Sequence, residues 1–363
     1  MAVVVGDMGG CKEAFYAIQA LEKKLGGNLG VNWIVDPADN AKAGVFLERQ
    51  GVSYNRRLPL VEDNPDLLFV GTSATAVGAQ VAWTKWAREK GTPVVWIEDF
   101  PGTGQYPSVR DVDPDVMVVT DEISAINCRK IRPSMKPESV VVCGKPSFPS
   151  EVSPLLANKV GIRREVRAKL GVTDGDLMIM VSPEVGMNIV EQLQAIAGIK
   201  NLCGRPVKFW VRLHPKMADG PRAAALEVIH VMGDAAADSS AEPLLERLTV
   251  ASDIVVATWG STCTYSAAFA GIPPVLLLFP DVLEENQKRM DLGYDGGVPP
   301  LMQAGAAYAA TGSGTLETNL RAIVSGYGRV SGTILNGSAA FKAMIEPGSV
   351  DRVVAVLGGQ LGL

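Results

Sequence analysis

The stretch 250–276, VASDIVVATWGSTCTYSAAFAGIPPVL, leaves few folds open to this chain. After Asp253 comes a short apolar run, Ile254–Ala257, which reads as a buried parallel strand. It stops at Thr258-Trp259-Gly260-Ser261-Thr262, a helix-like segment follows, and Gly271-Ile272-Pro273-Pro274 ends that segment before the next apolar run, Val275–Phe279. Strand, turn, helix and strand in this order make one right-handed βαβ unit. A turn of Gly, Ser and Thr at a helix start brings backbone N–H groups and hydroxyls to one point, an arrangement suited to an anion such as phosphate.

The same alternation runs through the chain. Val3–Val5, Val31–Val35, Leu67–Val70, Val94–Ile97, Val116–Val119 and Val140–Val142 read as strands of a first sheet. Leu177–Val181, Val207–Leu213, the segment around Val228–Met232, Ile254–Ala257 and Val275–Phe279 read as a second. Between the two series, Gly144-Lys145-Pro146-Ser147-Phe148-Pro149-Ser150 suits an interdomain hinge. The Gly312–Gly314 patch reads as a loop. With 363 residues, more than one hydrophobic core organises, the expectation is an α/β protein of two doubly wound parallel-sheet domains.

Composition narrows the partners. Charged residues are 20% and hydrophobic residues 47%, as in a well-buried α/β protein. A formal net charge of −5 without a long basic run argues against nucleic acid. The opening MAVVVGDMGG has no basic leader and no apolar run approaches bilayer length, so the expectation is a cytoplasmic chain without an integral membrane segment. Cys11, Cys128, Cys143, Cys203 and Cys263 show no CxxC spacing and read as small buried residues. No DxD-like pair or His/Cys cluster sits at a site-forming turn, so neither a metal nor another cofactor is expected.

The two-sheet layout, the turn Gly6-Asp7-Met8-Gly9-Gly10, the RLHPK stretch Arg212–Lys216 and the Asp253…Ser261-Thr262…Gly271-Ile272-Pro273 block together resemble the GT-B glycosyltransferase superfamily, which includes the UDP-N-acetylglucosamine 2-epimerases. The resemblance implies two Rossmann-like domains facing a cleft: 1–146 on the acceptor side, 147–342 on the nucleotide-sugar side, and a last helix within 343–363, over Val350–Leu357, returning to the first domain. It implies a nucleotide-sugar donor, a UDP-sugar foremost, and a sugar or lipid-linked acceptor; homo-oligomerisation stays open.

In the first domain, Gly9 and Gly10 permit close approach of a ligand, or simply make a tight βα turn. Asp7 at that turn is a candidate base for an acceptor hydroxyl, or a helix cap. Glu98 and Asp99 follow a strand at its carboxyl end, where open α/β sheets place ligands, and resemble the acidic site of the epimerases; a solvated acidic loop is the alternative. Thr72, Ser73 and Thr75 offer hydroxyls to a sugar or phosphate, or cap a helix. Asp36, closing the second strand, supports a rival dinucleotide reading.

In the second domain, Arg212, His214 and Lys216 converge on one loop, and the resemblance assigns them to the donor diphosphate, with His214 joining Asp7, Glu98 and Asp99 as candidate catalytic residues. His230, within VIHVM, reads as core or strand edge. Gly260, Ser261 and Thr262 would bind the two phosphates and stabilise charge on the leaving nucleotide. The loop Asp281–Gln287, with Glu285 and Gln287 at its polar end, would read the donor sugar, or begins an amphipathic helix. Many GT-B transferases hold the ribose with a glutamate after this turn, whereas Thr264-Tyr265-Ser266-Ala267-Ala268 carries no acid.

Three functions follow: a glycosyltransferase of bacterial surface-polysaccharide or lipid-linked saccharide synthesis, acting by domain closure with Asp7 or Glu98 as base; a nucleotide-sugar 2-epimerase; and a non-catalytic nucleotide-sugar binding protein. A dinucleotide oxidoreductase ranks below all three.

Overall fold

The computed structural model describes all residues except 39–41, 74–75, 101–106, 184–188, 215–216, 240–241, 243, 259–260, 281–299, 327–336, 338, 340 and 343–347. Two compact units result: Met1–Ser150 with the C-terminal helix Ser349–Leu361, and the described residues between.

In the first unit the apolar runs form β1 (Ala2–Val5), β2 (Asn32–Val35), β4 (Leu68–Gly71), β5 (Val94–Ile97), β6 (Val116–Val119) and β7 (Val140–Val142), joined by the short edge strand β3 (Tyr54–Arg56). All seven are parallel in the order β3-β2-β1-β4-β5-β6-β7. Because side chains alternate along a strand, β1 sends Val3 and Val5 to one face and Ala2 and Val4 to the other. Val3 and Val5 pack with Phe69, Val95, Ile97 and Val118 beneath α1 (Met8–Lys24), α2 (Lys42–Arg49) and the C-terminal helix, which contributes Val353, Val354 and Leu357. Val4 packs with Val70, Trp96, Met117 and Val119 beneath α3 (Gly78–Lys90) and α4 (Glu122–Ile131). The C-terminal helix is also fixed by polar contact, Arg352 Nη2 donating to the Cys143 carbonyl at 2.8 Å.

The second unit begins within α5 (Ser147–Ala157) and continues through α6 (Lys159–Lys169) to a second parallel sheet. Its strands are β8 (Leu177–Ser182), β10 (Arg205–Val211), β11 (Ala236–Asp238), β12 (Ile254–Thr258), β13 (Pro274–Leu277) and β14 (Tyr308–Ala310), in the order β11-β10-β8-β12-β13-β14. The two-residue β9 (Asn201–Leu202) adds an antiparallel pairing to β10. Helices α7 (Ile189–Ala197), α8 (Asp219–Val231), α9 (Leu245–Ala251) and α10 (Thr262–Phe269) connect the strands.

Three sequence readings are corrected. Val228–Met232 lies in and just after α8 and is not a strand; Ala225 and Ile229, four residues apart, are its buried face, and the strand is β11 just downstream. His230 is therefore exposed on a helix. The Pro-rich segment 144–150 ends where the first unit does, at Ser150, and its second half is the start of α5, so Pro149 falls in the first turn, where its missing N–H costs little. Gly312 precedes and Ser313-Gly314 begin a helix, Ser313–Ser325, instead of forming a loop. Cys11, Cys128, Cys143 and Cys263 are buried as expected, but Cys203 is exposed. Burial pushes the Cys128 thiol up to about 12 and Cys143 to about 11, which keeps both protonated and unreactive near neutrality.

Candidate functional site

In an open parallel sheet, ligands gather at the carboxyl edge where the strand order reverses direction. In the first unit that reversal falls between β1 and β4, and the residues just beyond those strands are Asp7, Thr72 and Ser73. Asp7 caps α1: Oδ1 accepts from the Gly10 N–H at 3.4 Å, and Oδ2 accepts the Ser73 hydroxyl at 2.6 Å. The same Ser73 Oγ accepts from Ala76 N–H at 2.9 Å. The helix-cap reading of Asp7 is thus realised, and its carboxylate, half-buried, also joins the two strands that frame the crevice.

The glycines of the turn serve close packing, with none of Gly6, Gly9 and Gly10 at positive φ. A Cβ on Gly10 would lie 2.3 Å from the Thr72 carbonyl oxygen, and one on Gly9 would lie 2.5 Å from Asp99 Oδ2. Gly10 therefore lets α1 touch the β4 backbone, and Gly9 makes room for the Asp99 carboxylate.

Glu98 and Asp99, just past the end of β5, meet different partners. Glu98 is 1% exposed and Oε2 accepts the Thr120 N–H at 3.3 Å. Asp99 is half-buried against Gly9, its N–H donating to Thr72 Oγ1 at 3.2 Å. Asp7 is thus bonded to Ser73, Asp99 to Thr72 and Glu98 to Thr120, and Thr75 lies outside the described residues. Asp36 is committed to backbone: it accepts Ala79 N–H at 2.6 Å and Ala38 N–H at 2.8 Å, which removes the carboxylate a dinucleotide ribose would need.

Sequence reasoning missed Glu13, Lys145 and Ser147. Glu13 and Lys145 are each 2% exposed and form an ion pair of 2.8 Å, while Ser147 donates its N–H and hydroxyl to the two Glu13 oxygens at 2.9 and 2.6 Å. The available signal was phase: Glu13 falls on the stripe that buries Gly10, Ala14 and Ala17.

Asp121, the α4 cap, accepts Ser124 N–H at 2.7 Å. Burial, only partly opposed by that bond, holds its carboxyl above the ordinary 3.8. A raised native value means that stability from this group is full below pH 3.8 and is lost as pH rises through the native value. Asp121→Asn keeps the capping oxygen and removes the charge, so the difference in Tm, variant minus wild type, is expected to grow from pH 4 to pH 7. Melting curves across that range check this; a flat or falling difference contradicts it.

In the second unit the reversal falls between β8 and β12. Ser182 and Thr258 end these strands, and Ser261, Thr262 and Cys263 open α10. Thr258 Oγ1 is 0% exposed and has no hydrogen-bond partner among the described residues. Ser261 occupies the cap position without capping α10; its hydroxyl instead meets Cys263 Sγ at 3.0 Å. Burial pushes that thiol up to about 11, against the hydrogen bonds from Ser261 and Ser182. Thr262 is exposed. At the end of β10, half-buried Arg212 spends one N–H of Nη1 on the Glu242 carbonyl at 3.0 Å, and the His214 carbonyl accepts from Arg222 at 3.2 Å. Lys216, Gly260, Glu285 and Gln287 lie outside the described residues. Among the described residues no cluster of His, Cys, Asp and Glu fits a metal ion, and no helix is long and apolar enough to cross a membrane.

No family model and no curated protein matches the sequence. Solved structures do match over essentially the whole length. UDP-GlcNAc 2-epimerase from Neisseria meningitidis, bound to UDP-GlcNAc, is similar with a TM-score of 0.69 at 13% identity, covering 98% of both chains. Anabaena HepE in complex with UDP-glucose gives 0.65 at 13%, covering 100% of this chain and 99% of the other, and Acinetobacter baumannii MurG gives 0.55 at 14%, covering 99% of both. At such identities the likeness is one of architecture, and that architecture, two parallel-sheet α/β domains in one chain, is the GT-B fold.

Proposed function

We propose that this protein is a glycosyltransferase that takes a sugar from a nucleotide-sugar donor, a UDP-sugar foremost, and passes it to a saccharide or lipid-linked acceptor of surface-glycan synthesis. The observation that carries the reading is the β8/β12 crevice, where a buried Thr258 hydroxyl lacks a protein partner among the described residues beside Ser261 and Thr262 at the start of α10. Helix-start amides and clustered hydroxyls suit a diphosphate, and the Arg212 guanidinium, half-buried just past the end of β10, supplies a cation at that sheet edge. The same groups would stabilise charge on the departing nucleotide. In the first unit Asp99 is the favoured base, because Glu98 is sealed in the interior and Asp7 is tied by Ser73 and Gly10. The chemistry written this way uses no metal.

A second reading, nucleotide-sugar 2-epimerase, is favoured by the TM-score of 0.69 to an enzyme of that name and by an acidic residue after β5. Incubation of the donor without acceptor separates the two: a C2 epimer appears from the donor alone in one case, while free nucleotide accumulates only with acceptor in the other.

The binding assignment is checked by thermal shift with UDP-, GDP-, CDP-, ADP- and dTDP-sugars. A ligand at about 100 times its Kd adds about 2.7 kcal/mol to the stability, readily seen as a rise in Tm. Ser261→Ala with Thr262→Ala is expected to abolish the rise while leaving the ligand-free Tm close to wild type. A shift that survives the double substitution places the nucleotide elsewhere, and no shift with any donor removes the reading.

A further inference from the structure

The Glu13–Lys145 pair has no part in the chemistry proposed above, yet it is the most deeply buried ion pair among the described residues. Removing two charges from water costs heavily, and a buried pair gives little stability over apolar groups of the same shape. Its geometry suggests another use. Lys145 Nζ donates to Glu13 Oε1 and also to the main-chain carbonyl of Asp99, with the Phe148 ring 5.3 Å away on a further side. Glu13 is itself held by both donors of Ser147. The Asp99 peptide is thus gripped at both ends, its C=O by Lys145 and its N–H by Thr72 Oγ1, while Gly9 leaves the space its carboxylate occupies.

We propose that Lys145, oriented by Glu13 and Ser147, is a positioning residue that sets the Asp99 carboxylate at the β1/β4 crevice. This rests on the reading of Asp99 as the base. The clasp joins α1 through Glu13, the β7–α5 connection through Lys145, the start of α5 through Ser147, and the ends of β5 and β4 through Asp99 and Thr72. Lys145 has three N–H donors, enough to satisfy a carboxylate and a carbonyl at once, which an apolar residue at this position would not do. Without it the Asp99 carbonyl loses its charged donor in a buried place, and the peptide would turn to find another.

The test is the isosteric, charge-neutral variant Glu13→Gln with Lys145→Met. Its Tm is expected to stay within about 5 °C of wild type, since an ion pair is exchanged for uncharged groups of similar volume. Amide hydrogen exchange at Asp99 is expected to accelerate at least about 10-fold while Val95 and Ile97 in β5 stay protected. Sugar transfer is expected to lose about 10- to 100-fold in kcat with the donor KM unchanged. In an Asp99→Asn background the same pair of substitutions should cost nothing more, because the clasp acts through that carboxylate. Ser147→Ala, which withdraws a single hydroxyl from Glu13, should show the same exchange signature at smaller amplitude even if the double variant does not fold. Unchanged exchange at Asp99 in both variants overturns the proposal, as does a kcat loss that adds to that of Asp99→Asn. Absence of any nucleotide-sugar turnover by the wild type would remove the functional reading alone, with the exchange measurement still deciding on the clasp.

Discussion

Gly10→Val is expected to cost several kcal/mol of stability and lower Tm by roughly 10 °C. Even one methyl group at this position would sit 2.3 Å from the Thr72 carbonyl oxygen and 2.7 Å from the Gly71 carbonyl carbon. Both are backbone atoms of β4 or its end, held in the ladder between β1 and β5, so they cannot swing aside as the tip of a flexible side chain would. The contact is reciprocal: a Cβ on Gly71 would meet the Gly10 carbonyl oxygen at 2.2 Å. Relief requires α1 to lift from the sheet, which opens the cluster that Cys11, Ala14, Ile18 and Leu21 form with the strands. Gly10→Ala should show the same loss at lower amplitude, about 1–3 kcal/mol. Gly30→Ala is the control, with open space around its Cβ and no positive φ to strain, and is expected within about 0.5 kcal/mol of wild type. Thermal or urea unfolding measures all three; a Gly10→Ala protein as stable as Gly30→Ala would contradict the close approach.

Asp99→Asn should reduce kcat for sugar transfer by about 100- to 10,000-fold, the range expected on losing a positioned general base. The substitution keeps size and hydrogen-bonding shape, and the main-chain bonds to Thr72 and Lys145 do not involve the side chain, so the fold should be unaffected. The thermal shift produced by donor should also persist, because the proposed donor groups Thr258, Ser261 and Thr262 belong to the other unit. Glu98→Gln makes the comparison: its carboxylate is 1% exposed and accepts the Thr120 N–H, so its effect should fall on stability with kcat largely kept. If Asp99→Asn retains most of the activity while Asp7→Asn abolishes it, the base is the helix cap.

The buried strands were the most legible part of the chain. Val3–Val5, Val94–Ile97 and Val116–Val119 are covered on both faces, so they read as unbroken apolar runs. Strands β3 and β14 escaped notice because each is three residues long, and Tyr54-Asn55-Arg56 lies at an edge exposed to water. Val228–Met232 misled for the opposite reason: five largely apolar residues look alike in a strand and on a helix, and only the four-residue spacing of Ala225 and Ile229 decides. At the site, Asp7, Thr72, Ser73 and Asp99 were legible because each stands within three residues of the end of an apolar run. Their hydrogen bonds were not, since Asp7 and Ser73 are 66 residues apart. Glu13 and Lys145 were hidden more completely. A charged residue on a helix or beside a proline is ordinarily solvated, and nothing local says that these two bury each other.

The return of the last helix to the first sheet has a consequence for synthesis. Val353, Val354 and Leu357 complete a core begun by Val3 and Val5, so the amino-terminal unit keeps that flank uncovered until residue 357 has left the ribosome. Most of the second unit is translated between these two parts of the first and can close before that core is complete. The unit begun first is therefore the unit finished last.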